Sequence, residues 1–174
     1  MNTRINISRK LEKVVPKDLI KKSYIGLTNP FGKWTATIFY VSHKKCLMLT
    51  SSVAKYSVIL DRITRADFGD FSNIFTKIFY DQLLADGIEI DYQKLHEFVG
   101  EVELLETDND RSIIGIQNSI MYYIEDWKYE FGHIDNWSFR EINKRINGIP
   151  YKQLDWLFPN EKMKLEINLL CINA

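Results

Sequence analysis

The chain has 174 residues, 45% of them hydrophobic and 26% charged, with only eight Gly and four Pro. That length buries enough surface to fold without disulfides or metal, and that composition excludes disordered, collagen-like and linker-rich architectures. Lys/Arg and Asp/Glu balance at 23 each, but unevenly: residues 1–66 hold thirteen cations against Glu12, Asp18 and Asp61, a net +10 that residues 67–174 cancel. Such halves either neutralise each other within one domain or leave a basic face for a polyanion. No block of five like charges occurs, which favours neutralisation.

The first strand is expected at Thr3 to Ser8, where Ile5 and Ile7 share one side. Leu11 to Lys33 reads as a short helix and loops, broken by Pro16, Gly26 and Pro30. Trp34 to Val41 is rich in β-branched and aromatic residues, Ser42-His43-Lys44-Lys45 makes a polar turn, and Cys46–Thr50 and Tyr56–Leu60 follow as strands, together an antiparallel meander. From Asp67 the period changes. Phe68, Phe71, Ile74, Phe75, Ile78, Phe79 and Leu83 mark one face of a helix that Gly87 ends. Asp91 caps a short helix to Gly100, Glu101 to Glu106 alternates like a strand, and Asp110 to Glu130 carries a long amphipathic helix.

Ser138-Phe139-Arg140-Glu141 is a capping box, stapled by Trp137 and Ile142, and its helix stops at Asn147-Gly148 before Pro150. Residues 162–172 stay open between two patterns: Leu165, Ile167 and Leu169 alternate as in a strand, whereas Met163, Ile167 and Leu170 fit a helix. The expected class is α+β: one domain over residues 1–174, a small antiparallel meander covered by several helices in a single layer pair.

Cys46 and Cys171 lie in apolar runs and are expected as buried, reduced thiols. His43, His96 and His133 have no partner at metal-ligand spacing, so neither metal nor cofactor is expected. Met1–Lys10 lacks the apolar core of a secretory signal and no stretch is long and apolar enough to span a bilayer, so the expectation is a cytoplasmic chain.

The densest polar cluster, Thr107 to Ser112, opens the long helix. Asp108 or Asn109 reads as its cap, with Asp110 favouring the dipole. Arg111, Ser112, Gly115 and Asn118 are the ligand-binding candidates: Gly115 costs helix stability unless something approaches closely, and Asn118 lies one turn beyond it. Trp34 and Tyr40 read as core. Lys44, Lys45 and Lys55, beside the strand aromatics, are the nucleic-acid candidates.

Trp34 opening a strand, Lys45-Cys46-Leu47 and Thr50 in the return strand, Arg111-Ser112-Ile113-Ile114-Gly115, and Asn147 with Pro150 resemble the blocks of a bacterial domain of unknown function, the family numbered sixty-nine thirty-three. The resemblance runs from about Arg4 to Leu170. It implies a compact bacterial α+β domain with no assigned activity, and it marks Trp34, Arg111, Ser112 and Gly115 as positions to test.

The absence of any catalytic signature leads to a first expectation of a non-enzymatic module that binds a protein partner or itself. The second is nucleic-acid binding through the basic first third. The third is an enzyme built on Asp108, Asp110, Arg111 and His133, which requires these groups to converge.

Overall fold

The computed structural model describes residues 2–23 and 31–173. Its strands are β1 (Asn2–Ile7), β2 (Ile20–Lys21), β3 (Trp34–Val41), β4 (Lys44–Ser51), β5 (Ser57–Asp61) and β6 (Glu101–Leu105). They form one sheet in the order β2-β6-β1-β3-β4-β5. The meander is present: β3 pairs antiparallel with β4, and β4 with β5. The other half of the sheet is parallel, with β1 against both β3 and β6, and β2 against β6. The expected antiparallel meander is therefore half of a mixed sheet. Parallel pairing joins strands across crossovers of a dozen residues or more, so no local pattern in β1 announces its partners.

The helices are α1 (Arg9–Glu12), α2 (Phe71–Ala85), α3 (Tyr92–Val99), α4 (Arg111–Phe131), α5 (Phe139–Asn147) and α6 (Pro159–Asn173). They cover both faces of the sheet, which corrects the single layer pair to a three-layer arrangement. One core joins Ile5, Trp34, Leu47 and Val58 to Phe75 and Phe79 of α2, Leu95 of α3 and Ile167 of α6. The other joins Phe39, Met48 and Ile59 to Ile116 and Ile120 of α4 and Ile142 of α5. Strand alternation divides neighbours between the two, since successive side chains point to opposite faces.

Local chemistry sets the helix ends. At the C-terminus of α2, Ile88 N donates to Leu83 O at 2.8 Å and Gly87 N to Leu84 O at 3.1 Å. This pair of bonds satisfies two orphan carbonyls and needs the left-handed backbone that Gly87 adopts at φ 71°. Ser138 caps α5 by accepting from Glu141 N at 3.3 Å, and Trp137 and Ile142 meet in the second core. Residues 162–172 are helical, the last two turns and more of α6. Gly26 and Pro30, expected as breakers, lie outside the described residues.

Two burial expectations change. Trp34 is buried, but Tyr40 of the same strand is exposed, next to the hairpin turn. Cys46 is buried, whereas Cys171 is exposed on α6. Among the described residues no helix is long and apolar enough to cross a membrane.

Candidate functional site

Adjacent parallel strands β1 and β6 end side by side, and Asn6 of β1 donates through Nδ2 to Glu106 O at 2.8 Å, tying the two ends together. Beyond that point the chain leaves in opposite directions. After β1 it enters α1, whose Leu11 joins the first core; after β6 it enters α4, whose Ile116 joins the second. Connections that splay to opposite faces leave a crevice at the strand ends, the usual ligand position in open α/β sheets. Here the crevice measures about 270 Å³, and Ser8, Thr35, Thr37, Asp110, Gln117 and Asn118 are among its lining residues.

Its floor is built from hydroxyls and one amide. Ser8 caps α1, accepting from Leu11 N at 3.3 Å, and also receives the Thr37 hydroxyl at 3.0 Å. Gln117, buried on α4, donates to Thr35 O at 2.9 Å and to Thr50 Oγ1 at 3.3 Å. The Thr50 and Ser57 hydroxyls share a 2.9 Å bond. Thr35 Oγ1 is buried with no hydrogen-bond partner.

The rim carries charge. Lys33 bonds both Asp108 and Asp110, the latter at 2.8 Å. Partial burial opposes its charge, but the two carboxylates outweigh that and hold the lysine pKa above its ordinary value. Asp110 is held below the usual carboxylate range by the Lys33 hydrogen bond, against some desolvation and with help from backbone N–H groups. It caps α4, accepting from Ser112 N at 3.1 Å and Ile113 N at 3.2 Å, so Asp110 takes the place expected of Asp108 or Asn109. Asp108 accepts from Asp110 N instead, at 3.3 Å. Burial lowers the Lys55 pKa, with Asp110 opposing and Lys33 adding to the effect, and Lys55 Nζ donates to Ser52 O.

The structure groups the expected residues differently from the sequence. Asn118 lines the crevice, while Arg111 and Ser112 are exposed at the start of α4. Gly115 has open space where a Cβ would stand, so neither close packing nor a neighbouring backbone explains it. Lys55 joins the α4 N-terminus, on the order of 20 Å along β4 from Lys44 and Lys45. Lys44 pairs with Asp135 at 3.4 Å, and Asp135 also takes Arg62 at 2.6 Å. Trp34, Phe39 and Tyr56 are buried and unavailable for base stacking. Arg111 opens α4 and His133 follows its end, about 30 Å apart, so the expected convergence of Asp108, Asp110, Arg111 and His133 does not occur.

A second feature escaped the sequence reading. Arg9, Lys13, Lys17 and Lys22 line a groove of about 890 Å³ that shares Arg9, Thr107 and Asn109 with the crevice. Lys21, Lys33, Lys44 and Arg62 each pair with an acid from the second part of the chain. No such pair is formed by the four groove cations among the described residues. The spacing of Arg9, Lys13 and Lys17 was the available signal, but Leu11 to Lys33 was expected as a short helix and loops, with no face on which these cations would gather.

The arrangement is that of a mixed-sheet α/β sandwich with a polar crevice at its parallel strand ends. A family model described as Domain of unknown function (DUF6933) matches residues 4–162, and the chain belongs to that family. No curated protein and no solved structure matches the chain.

Proposed function

We propose that this chain is a non-enzymatic module that binds a protein partner through the outer face of α6 and the turn before it. The observation that carries this reading is a second apolar stripe on α6. Met163 and Ile167 are buried in the core, yet Leu165, Leu169 and Ile172 are 51%, 54% and 80% exposed. With Phe158 and Lys162 they follow one another at steps of four and three residues, the spacing of a seam between two helices. A helix apolar on both sides exposes one of them at a cost unless something covers it. Trp156 adjoins the stripe, 67% exposed and held in a left-handed backbone at φ 68°, an aromatic of the kind that anchors interfaces.

Charge selects the occupant. Glu161 and Glu166, the latter paired with Lys162 at 2.7 Å, flank the stripe at positions that face each other when two such helices pair in parallel, so a second parallel copy brings carboxylate against carboxylate. An amphipathic helix with Lys or Arg beside its own apolar seam meets opposite charge instead.

The test compares the tagged chain with its Leu165→Glu/Leu169→Glu variant in native lysate after nuclease treatment. A protein recovered with the parent, lost with the variant and rebound as a purified component is expected. Equal recovery by both, or no specific recovery, removes the reading; a concentration-dependent dimer abolished in the variant replaces it with self-association.

A further inference from the structure

We propose that the crevice between the ends of β1 and β6, together with the basic groove continuous with it, binds a small organophosphate. The phosphate lies on Arg9 and Lys13, and the polar body enters the crevice between Thr35, Gln117 and Asn118. This site is separate from the outer face of α6 and stands without it.

Four observations converge. First, the position is where splayed connections open a parallel sheet to ligands. Second, Thr35 is 6% exposed and is one of the crevice's lining residues, and its buried Oγ1 has no partner. A buried hydroxyl left unbonded is costly, and a ligand atom in the crevice supplies the missing bond. Third, Gln117 spends its amide nitrogen on Thr35 O and Thr50 Oγ1, and no donor among the described residues reaches its amide oxygen. The crevice thus offers both a donor and an acceptor to one small polar body. Fourth, the groove sharing Arg9 with it sets Arg9, Lys13, Lys17 and Lys22 against Glu12 and Glu106, and none of the four cations is ion-paired among the described residues, so a net positive face remains for a group of two negative charges.

Three of the four acids at the site are engaged elsewhere, and the fourth, Glu106, is outnumbered by the groove cations. Asp108 and Asp110 are committed to Lys33, and Asp110 also to the α4 backbone. Glu12 accepts from Thr107 N at 3.4 Å, which joins α1 to the loop after β6 and holds the groove wall. Hydroxyls and amides around a compact cavity suit a sugar or a base edge equally, so a sugar phosphate and a nucleotide share the required chemistry. Ile114 and Met121 supply the apolar side on which a base, but not a sugar, gains further contact.

The experiment is calorimetric titration of the intact chain with inorganic phosphate, ribose 5-phosphate, AMP and adenosine. The expected result is a dissociation constant for AMP or ribose 5-phosphate at least about tenfold below that of inorganic phosphate. Adenosine alone should bind far more weakly. AMP exceeding ribose 5-phosphate identifies the nucleotide, and equality identifies the sugar phosphate. Arg9→Ala/Lys13→Ala, at exposed positions, should abolish binding. Thr35→Val, which keeps the side-chain shape and removes the unbonded hydroxyl, should weaken it about fivefold while the melting temperature of the free chain rises or holds. Three results would each overturn the assignment: no binding of any phosphorylated probe at about 5 mM; binding that survives Arg9→Ala/Lys13→Ala; or an oligonucleotide of about twelve residues binding more tightly than AMP with a steep salt dependence.

Discussion

Asn147 holds Ser57 as a neighbouring strand would: Oδ1 accepts from Ser57 N at 2.8 Å and Nδ2 donates to Ser57 O at 2.9 Å. One turn earlier Asn143 repeats the pair on Ile59, at 2.8 and 3.3 Å. The match is geometric. Four residues of helix rise about 6 Å and two residues of strand about 6.7 Å, so i, i+4 amides on α5 meet i, i+2 edge groups on β5. The sheet edge that would otherwise present open N–H and C=O groups is closed by side chains.

Because Ser57 and Asn147 are both fully buried, removing the amide leaves two backbone groups without water or partner. Asn147→Ala is expected to cost about 2–4 kcal/mol in urea unfolding, since each stranded group costs about 1–3 kcal/mol. Asn143→Ala should cost a similar amount, and both variants should aggregate more readily through the opened edge. A loss below about 0.5 kcal/mol for both would mean β5 does not depend on α5 for its hydrogen bonds.

Gly115 makes an opposite prediction. It lies in the second turn of α4 at an exposed position where a Cβ meets nothing within 4 Å. Gly115→Ala should stabilise the chain by up to about 1 kcal/mol, the helix-propensity difference. Destabilisation instead, or loss of a bound ligand on the same substitution, would show that the bare backbone there is in use.

How the sequence spoke depended on how local each signal was. The helix faces of α2 and α4, the Ser138 cap and the β3–β4 hairpin are written within a few residues and could be read directly. Asn147 and Ser57 are ninety residues apart, and nothing near either one names the other. The α6 ambiguity has a specific cause. Leu165 and Leu169 belong to the outer stripe and Ile167 to the core stripe, so two helical faces interleave into a strand-like alternation. Of the residues lining the crevice, Asn118 drew attention in the sequence, whereas Thr35 and Gln117 read as ordinary strand and helix residues until the fold brings them together.

Acid stability carries two opposed contributions that variants can separate. Asp110 is depressed in the folded chain, so its stabilisation is complete above about pH 4, the unfolded carboxylate range, and is lost as pH falls through its folded pKa. Asp86 is raised by burial, against hydrogen bonds from Tyr56 and Gln82. Its contribution is therefore fully present below the unfolded value and is lost as pH rises through the folded pKa. Asp110→Asn should flatten the decline of stability below about pH 4, and Asp86→Asn should flatten the slope just above it. Urea midpoints measured across that range check both signs. If the two variants left the profile of the parent unchanged, neither carboxylate would be linked to folding.

The two cysteines should separate cleanly in a thiol titration. Burial, with the charge of Asp61 adding to it, pushes the Cys46 thiol up to about 12, and its side chain sits in the second core. A thiol so placed is neither ionised nor reachable at neutral pH. Cys171 is exposed on α6, turned about 100° or more around the helix from Leu169 and Ile172 of the outer stripe. A thiol-specific reagent should therefore modify Cys171 at once in the native chain and Cys46 only on unfolding. Rapid reaction of both would mean that the face of β4 opens to solvent.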